Sequence, residues 1–119
     1  MSTARVDKAF DTRVVIPSRV VNGLDRRTLL IIKHIPNKMT HAELELLVLQ
    51  SHGCKHDSLV LPQDRRSHRN KGYAFINLVA VDDVLNFWAQ WQNGAWLLHP
   101  GSAKRCTIQY AKDRLPSSR

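Results

Sequence analysis

Cysteine is scarce in this chain: Cys54 and Cys106 are the two in 119 residues. Two thiols cannot build the multi-bridge framework of a small secreted domain, so a reducing, intracellular setting is the simplest expectation, nucleus and cytoplasm both open. Long apolar runs are also missing. None approaches the roughly 18 residues that a membrane-spanning helix needs. Met1 to Phe10 mixes charges and lacks the apolar stretch of a signal peptide. Acidic residues are few, 10 Asp and Glu against 18 Lys and Arg. No nucleophile elbow, phosphate loop or working pair of carboxylates stands out among them, so no enzyme is expected. There is no internal repeat and no low-complexity segment.

What is present is a core and an excess of cations. Apolar residues make up 43 % of the chain, enough for one folded domain, and the formal net charge is +8 with a pI near 10.1. Such a balance suggests a polyanionic partner, nucleic acid first and an anionic membrane surface second. The charge is unevenly placed. Residues 1–28, 58–79 and 104–119 carry +3, +3 and +4, whereas residues 29–57 are neutral and residues 80–103 carry −2.

The apolar pattern explains the quiet stretches. Leu29-Leu30-Ile31-Ile32, ahead of Pro36, reads as a buried strand. Thr40 and Glu43 form a capping box, Leu44, Leu47 and Val48 recur at helical spacing, and Gly53 is placed to stop the helix, predicted over about 41–52. Ser58 to Leu61 reads as a second strand, Gln63 to Asn70 as a polar, basic loop, and Gly72 to Leu78 as a third strand. Val81 to Gln92 reads as a second helix, with Asp82 and Asp83 at its positive end and Val84, Phe87, Trp88 and Trp91 on one face. A loop over Ala95 to Ala103 leads to a fourth strand, Arg105 to Tyr110. The order βαββαβ predicts an α+β, ferredoxin-like sandwich, with two helices on one face of a four-stranded antiparallel sheet.

The third strand carries the motif. Lys71-Gly72-Tyr73-Ala74-Phe75-Ile76-Asn77-Leu78 matches the RNA-recognition-motif octamer at its first five positions, has a conservative Ile76, and departs at Leu78. Alternation along a strand puts Tyr73, Phe75 and Asn77 on one face and Ala74, Ile76 and Leu78 on the other. The helices must cover the second set. The aromatic pair is then left facing solvent, as a stacking platform for unpaired bases. On the first strand, Ile31 and Lys33 should share that face, with Ile31 standing where the usual motif has an aromatic.

Residues 25–112 resemble the C-terminal RNA recognition motif of the Mei-two-like meiosis regulators. Asp25-Arg26-Arg27-Thr28-Leu29, Ile35-Pro36-Asn37-Lys38, the Gly72 to Asn77 stretch and the aromatic helix ending near Trp91 and Trp96 carry the resemblance. The resemblance implies single-stranded RNA binding on the sheet, within a longer parent protein bearing further such motifs. Full-length members of that family bind regulatory RNAs during meiosis. The end of the fourth strand, Ile108 to Lys112, is similar to RNA-contacting strands of spliceosomal motifs, which brings in Gln109 and Lys112.

The expected RNA-binding set is therefore Tyr73, Phe75, Ile31, Lys33 and Asn77 on the sheet. Lys71, Arg65, Arg66 and Arg69 join it from the loop between strands two and three, and Gln109 and Lys112 from the fourth strand. Charge around an aromatic strand favours single-stranded RNA over a membrane. The alternative function is a protein-protein interaction module built on the tryptophan-bearing second helix, with Trp88 or Trp96 partly exposed as the docking point and Trp91 in the core. His52, Cys54 and His56 match no common zinc spacing, so neither metal nor cofactor is expected. Residues 1–27 are expected to be a partly ordered extension, residues 28–112 the RNA recognition motif and residues 113–119 a basic tail. A monomer is expected.

Overall fold

The computed structural model describes residues 12–112. The expected extension before Thr12 and the basic tail at 113–119 lie outside the described residues. The elements run α1 (Pro17–Val21), β1 (Leu29–Lys33), α2 (His41–His52), β2 (His56–Val60), β3 (Tyr73–Leu78), α3 (Asp82–Trp91) and β4 (Thr107–Tyr110). All strand pairings are antiparallel, in the order β2-β3-β1-β4. The fold is the α+β, ferredoxin-like sandwich. Among the described residues no helix is long and apolar enough to cross a membrane.

Local chemistry sets α2. The Thr40 hydroxyl accepts the Glu43 amide at 3.1 Å, the Glu43 carboxylate accepts the Thr40 amide at 3.0 Å, and Gly53 closes the far end at φ +61°. Those bonds and one from His99 hold the Glu43 carboxyl below the usual carboxylate range. Thr40→Ala should cost about 1 kcal/mol, a fall of roughly 4–8 °C in Tm for a domain of this size. Thermal unfolding checks this, and Thr40→Ser should keep most of the stability.

The alternation of the sheet sorts its two faces. Leu30 and Ile32 of β1, Ala74, Ile76 and Leu78 of β3, and Ile108 and Tyr110 of β4 are buried against the helices. From the helices, Leu44 and Val48 of α2 and Val84, Phe87 and Trp91 of α3 complete the core. The Phe87 and Trp91 rings stack at 4.9 Å, and Trp96 meets Trp91 edge-on at 6.0 Å.

Trp96 therefore corrects an expectation. It is 4 % exposed and belongs to the core. Asn93, at φ +63°, reverses the chain after α3, the Gly94 amide bonds the Trp91 carbonyl, and the following segment folds back over the end of the helix. Trp88 packs half-buried against the same core.

Two strand starts and one added helix differ from the sequence reading. β2 begins at His56, where the register slips between His56 and Ser58 so that Asp57 bulges. β4 begins at Thr107, because Arg105 pairs only as an isolated bridge with Ala95. A short helix, α1, starts on Pro17 and packs on α3, burying Val15 and Val20 while Val14 and Val21 stay exposed. The Arg13 carbonyl takes the Tyr110 amide at 2.7 Å, so this segment lies along the outer edge of β4. Arg27 secures it, bonding the Thr12 carbonyl and the Asp25 carboxylate and lying 4.0 Å over the Tyr110 ring. Burial opposes ionisation of Asp25, but the bonds from Arg27 outweigh it and lower the carboxyl's pKa.

Candidate nucleic-acid interface

The helices cover one side of the sheet; the other side presents three rows of side chains set by the register. Val60, Phe75, Ile31 and Gln109 form the middle row. Tyr73, Lys33 and Thr107 form the row toward the end of β1, and Ser58, Asn77 and Leu29 the row at its start. All ten of these side chains are of intermediate exposure, the pattern of a surface that is packed sideways and open above.

Tyr73 and Phe75 stand two residues apart on β3, so both rings rise from this face. Their centroids are 5.7 Å apart and their planes meet at 87°, the edge-to-face geometry that aromatic quadrupoles favour. Ile31 sits across from Phe75 and Lys33 across from Tyr73. An aliphatic side chain thus extends the platform beside one ring, and a cation stands beside the other. Asn77 shares the face, but its carboxamide is engaged at both ends. It accepts the Thr28 hydroxyl at 2.8 Å and donates to the Asp57 carboxylate at 3.0 Å. Gln109 lies over β4 beside Ile31, and Lys112 is exposed just past the strand.

The β2–β3 loop is a built structure. The Asp64 carboxylate accepts both the amide and the hydroxyl of Ser67, which holds its pKa below the usual range. The Asp64 amide bonds the Arg69 carbonyl at 2.7 Å. Arg65 and Arg66 are carried at the tip, and they, Arg69 and Lys71 are all exposed. Gly72 then enters β3 at φ +93°, a conformation that favours glycine. A Cβ there would find its nearest neighbour, Asn37 Nδ2, at 3.7 Å, so the requirement for glycine is the backbone angle and not space.

Sequence reasoning misses Asn70, which by pattern is one more polar residue of the loop. It is 3 % exposed. Its Nδ2 donates to the Pro36 and Met39 carbonyls, both at 2.8 Å, and its Oδ1 accepts the Gly72 amide at 2.7 Å. Its backbone exchanges further bonds with Asn37. One carboxamide thus ties the β1–α2 loop to the start of the aromatic strand. His34 is another residue whose role only the structure reveals. At φ +65° it turns its Nδ1 to 3.1 Å from the Thr107 hydroxyl, linking the ends of β1 and β4.

Among the described residues no three His, Cys, Asp or Glu side chains gather to hold a metal ion. Cys54 is exposed, and burial pushes the Cys106 thiol up to about 12.

Known proteins share this architecture. The family described as RNA recognition motif 2 matches residues 27–116. Protein MEI2-like 1 of Arabidopsis thaliana is 40 % identical over 96 residues, covering 79 % of this chain and 10 % of that protein. The meiosis protein mei2 of Schizosaccharomyces pombe is 35 % identical over 119 residues, covering 95 % of this chain and 16 % of its own length. This chain therefore spans between a tenth and a sixth of those relatives. Among solved structures, a Drosophila sex-lethal protein–RNA complex superposes with a TM-score of 0.60 at 22 % identity, over 77 % of this chain and 50 % of that one. The Rna15 motif with bound RNA gives 0.59 at 20 % identity, over 75 % and 87 %. Both agree in fold. The chain belongs to the RNA recognition motif 2 family, as an RNA recognition motif of the Mei2-like type.

Proposed function

We propose that this chain binds single-stranded RNA on the open face of its sheet, and acts by binding and not as an enzyme. One observation carries the reading: two adjacent aromatic rings stand half-exposed on an uncovered sheet face whose near end is bordered by cationic loops. Bases stack on Tyr73 and Phe75, and Ile31 packs against a base or ribose. Lys33, Lys71, Arg65, Arg66, Arg69 and Lys112 meet phosphates. Gln109 reads a base edge, and Asn77, with its carboxamide largely engaged, holds the far end of the platform in place. A nucleic-acid partner also fits the intracellular setting expected from the thiols.

Stacking needs unpaired bases, so the test compares single-stranded RNA with the same sequence paired into a duplex. The single strand should bind more tightly. With about five phosphate contacts, the plot of log K against log salt should have a slope of roughly −3.5. Equal affinity for the duplex, or a slope near zero, would overturn the reading. The alternative protein-docking reading is weakened by the burial of Trp96, since Trp88 alone remains near the surface of its proposed face.

A further inference from the structure

Beyond the platform lies a second concavity, of which the RNA reading uses Arg69 and nothing else. Three loops meet at the end of β1: β1–α2, β2–β3 and α3–β4. Between them is a groove of about 580 Å³, lined among others by Asn37, Lys38, Arg69, His99, Pro100 and Lys104. Each loop contributes one cation, and no carboxylate is in the lining. Glu43 is nearby but sits behind His99, bonded to its Nε2 at 3.1 Å.

One of the cations is fixed in place. Lys104 Nζ donates to the Ile35 carbonyl at 3.3 Å and to Asn37 Oδ1 at 3.0 Å. An ammonium has three donors, so one is left for a ligand, on a side chain that has already lost its freedom. The groove's β1–α2 loop follows directly on the strand that carries the open face. Ile35 and Asn37 follow Lys33 by two and four residues, and the Ile35 amide bonds the Gly72 carbonyl at 2.9 Å, directly before Tyr73. A strand leaving the platform over Lys33 and Tyr73 meets this groove next.

We propose that the groove is a second RNA subsite. It takes the phosphodiester backbone of nucleotides running off the Lys33–Tyr73 end, with Lys38, Arg69 and Lys104 as phosphate ligands. The pyrrolidine of Pro100 and the ring of His99 offer a wall for a base. This deepens the RNA reading and rests on it: the bound strand is longer than the sheet, and its extra length is held by charge.

The test uses fluorescence anisotropy with two labelled random-sequence RNA pools, one of about four nucleotides and one of about ten, a span within single-strand site sizes. The chain is compared with K38Q, K104Q and the double variant. Lys38 is exposed, so K38Q is the arm free of a folding effect, and thermal unfolding controls for removal of the hydrogen bond to Asn37 in K104Q. The double variant should lose about tenfold on the long pool and less than about twofold on the short one. Its salt slope on the long pool should shrink by about 1.4, or about 0.7 per contact. Equal loss on both pools would put the lysines on the platform, and no loss on either would put the groove outside the site; each overturns the subsite alone. If the parent chain binds neither pool, the RNA reading falls and the subsite with it.

Discussion

Alanine at both Tyr73 and Phe75 should lower the affinity for single-stranded RNA by about 2–6 kcal/mol, at roughly 1–3 kcal/mol for each base that loses its ring. In equilibrium terms that is between about thirtyfold and about twenty-five-thousandfold. The loss should come with little unfolding, because both rings stand on the face the helices do not cover. The edge-to-face contact between them adds about 0.5–1.5 kcal/mol to stability, which bounds what the fold can lose beyond the area they cover. Ala74, Ile76 and Leu78, which anchor β3 to the core, are untouched. The single variants should each give part of the loss, and Tyr73→Phe should retain most of the binding, since stacking needs the ring and not the hydroxyl. Titration of labelled RNA beside a thermal melt measures both quantities. A folded double variant that binds within twofold of the parent would remove the platform from the mechanism.

The largest stability effect is expected at Asn70. Its side chain fills two buried carbonyls and one amide at once, at 2.7–2.8 Å. Alanine leaves those three groups without a partner in a site that is almost closed to water. With roughly 1–3 kcal/mol for each buried group left unsatisfied, and partial relief by relaxation, the cost should be about 2–4 kcal/mol. That corresponds to a fall in Tm of roughly 8–30 °C for a domain of this size. Asn70→Asp should be no better, because it sets a carboxylate oxygen against the Pro36 and Met39 carbonyls where an amide donated. Asn70→Ala should also weaken RNA binding, since the Gly72 amide that it releases leads straight into Tyr73. Chemical denaturation of the two variants decides it. A cost below about 0.5 kcal/mol for Asn70→Ala would mean that the loops hold together without the clamp.

These two sites differ in how they can be found. Tyr73 and Phe75 are read from eight consecutive residues, because the side-chain period of a strand is two and its assignment to a face needs only neighbours in sequence. Asn70 lies two residues before Gly72 and looks like any polar loop residue. Its partners Pro36 and Met39 are more than thirty positions away, and nothing local marks them. The same division runs through the basic residues. That the β2–β3 loop is cationic is a matter of composition; that Lys104 reaches Ile35 and Asn37, 69 and 67 residues earlier, is a matter of packing. Trp96 shows the error that follows. Grouping it with the exposed side of the helix neglects the reversal at Asn93, which turns the ring inward.

Caps and side-chain periods act over a few residues, so the chain's local pattern was sufficient for α2 to the residue, the βαββαβ order that follows α1, the two faces of β1 and β3, and the aromatic pair. Packing alone settled which loops meet beyond Lys33, that Asn70 is a buried clamp and Trp96 a core ring, and where the charge of separate stretches converges. Those follow from strand register and loop closure between segments far apart in the chain, and short-range patterns carry no record of either.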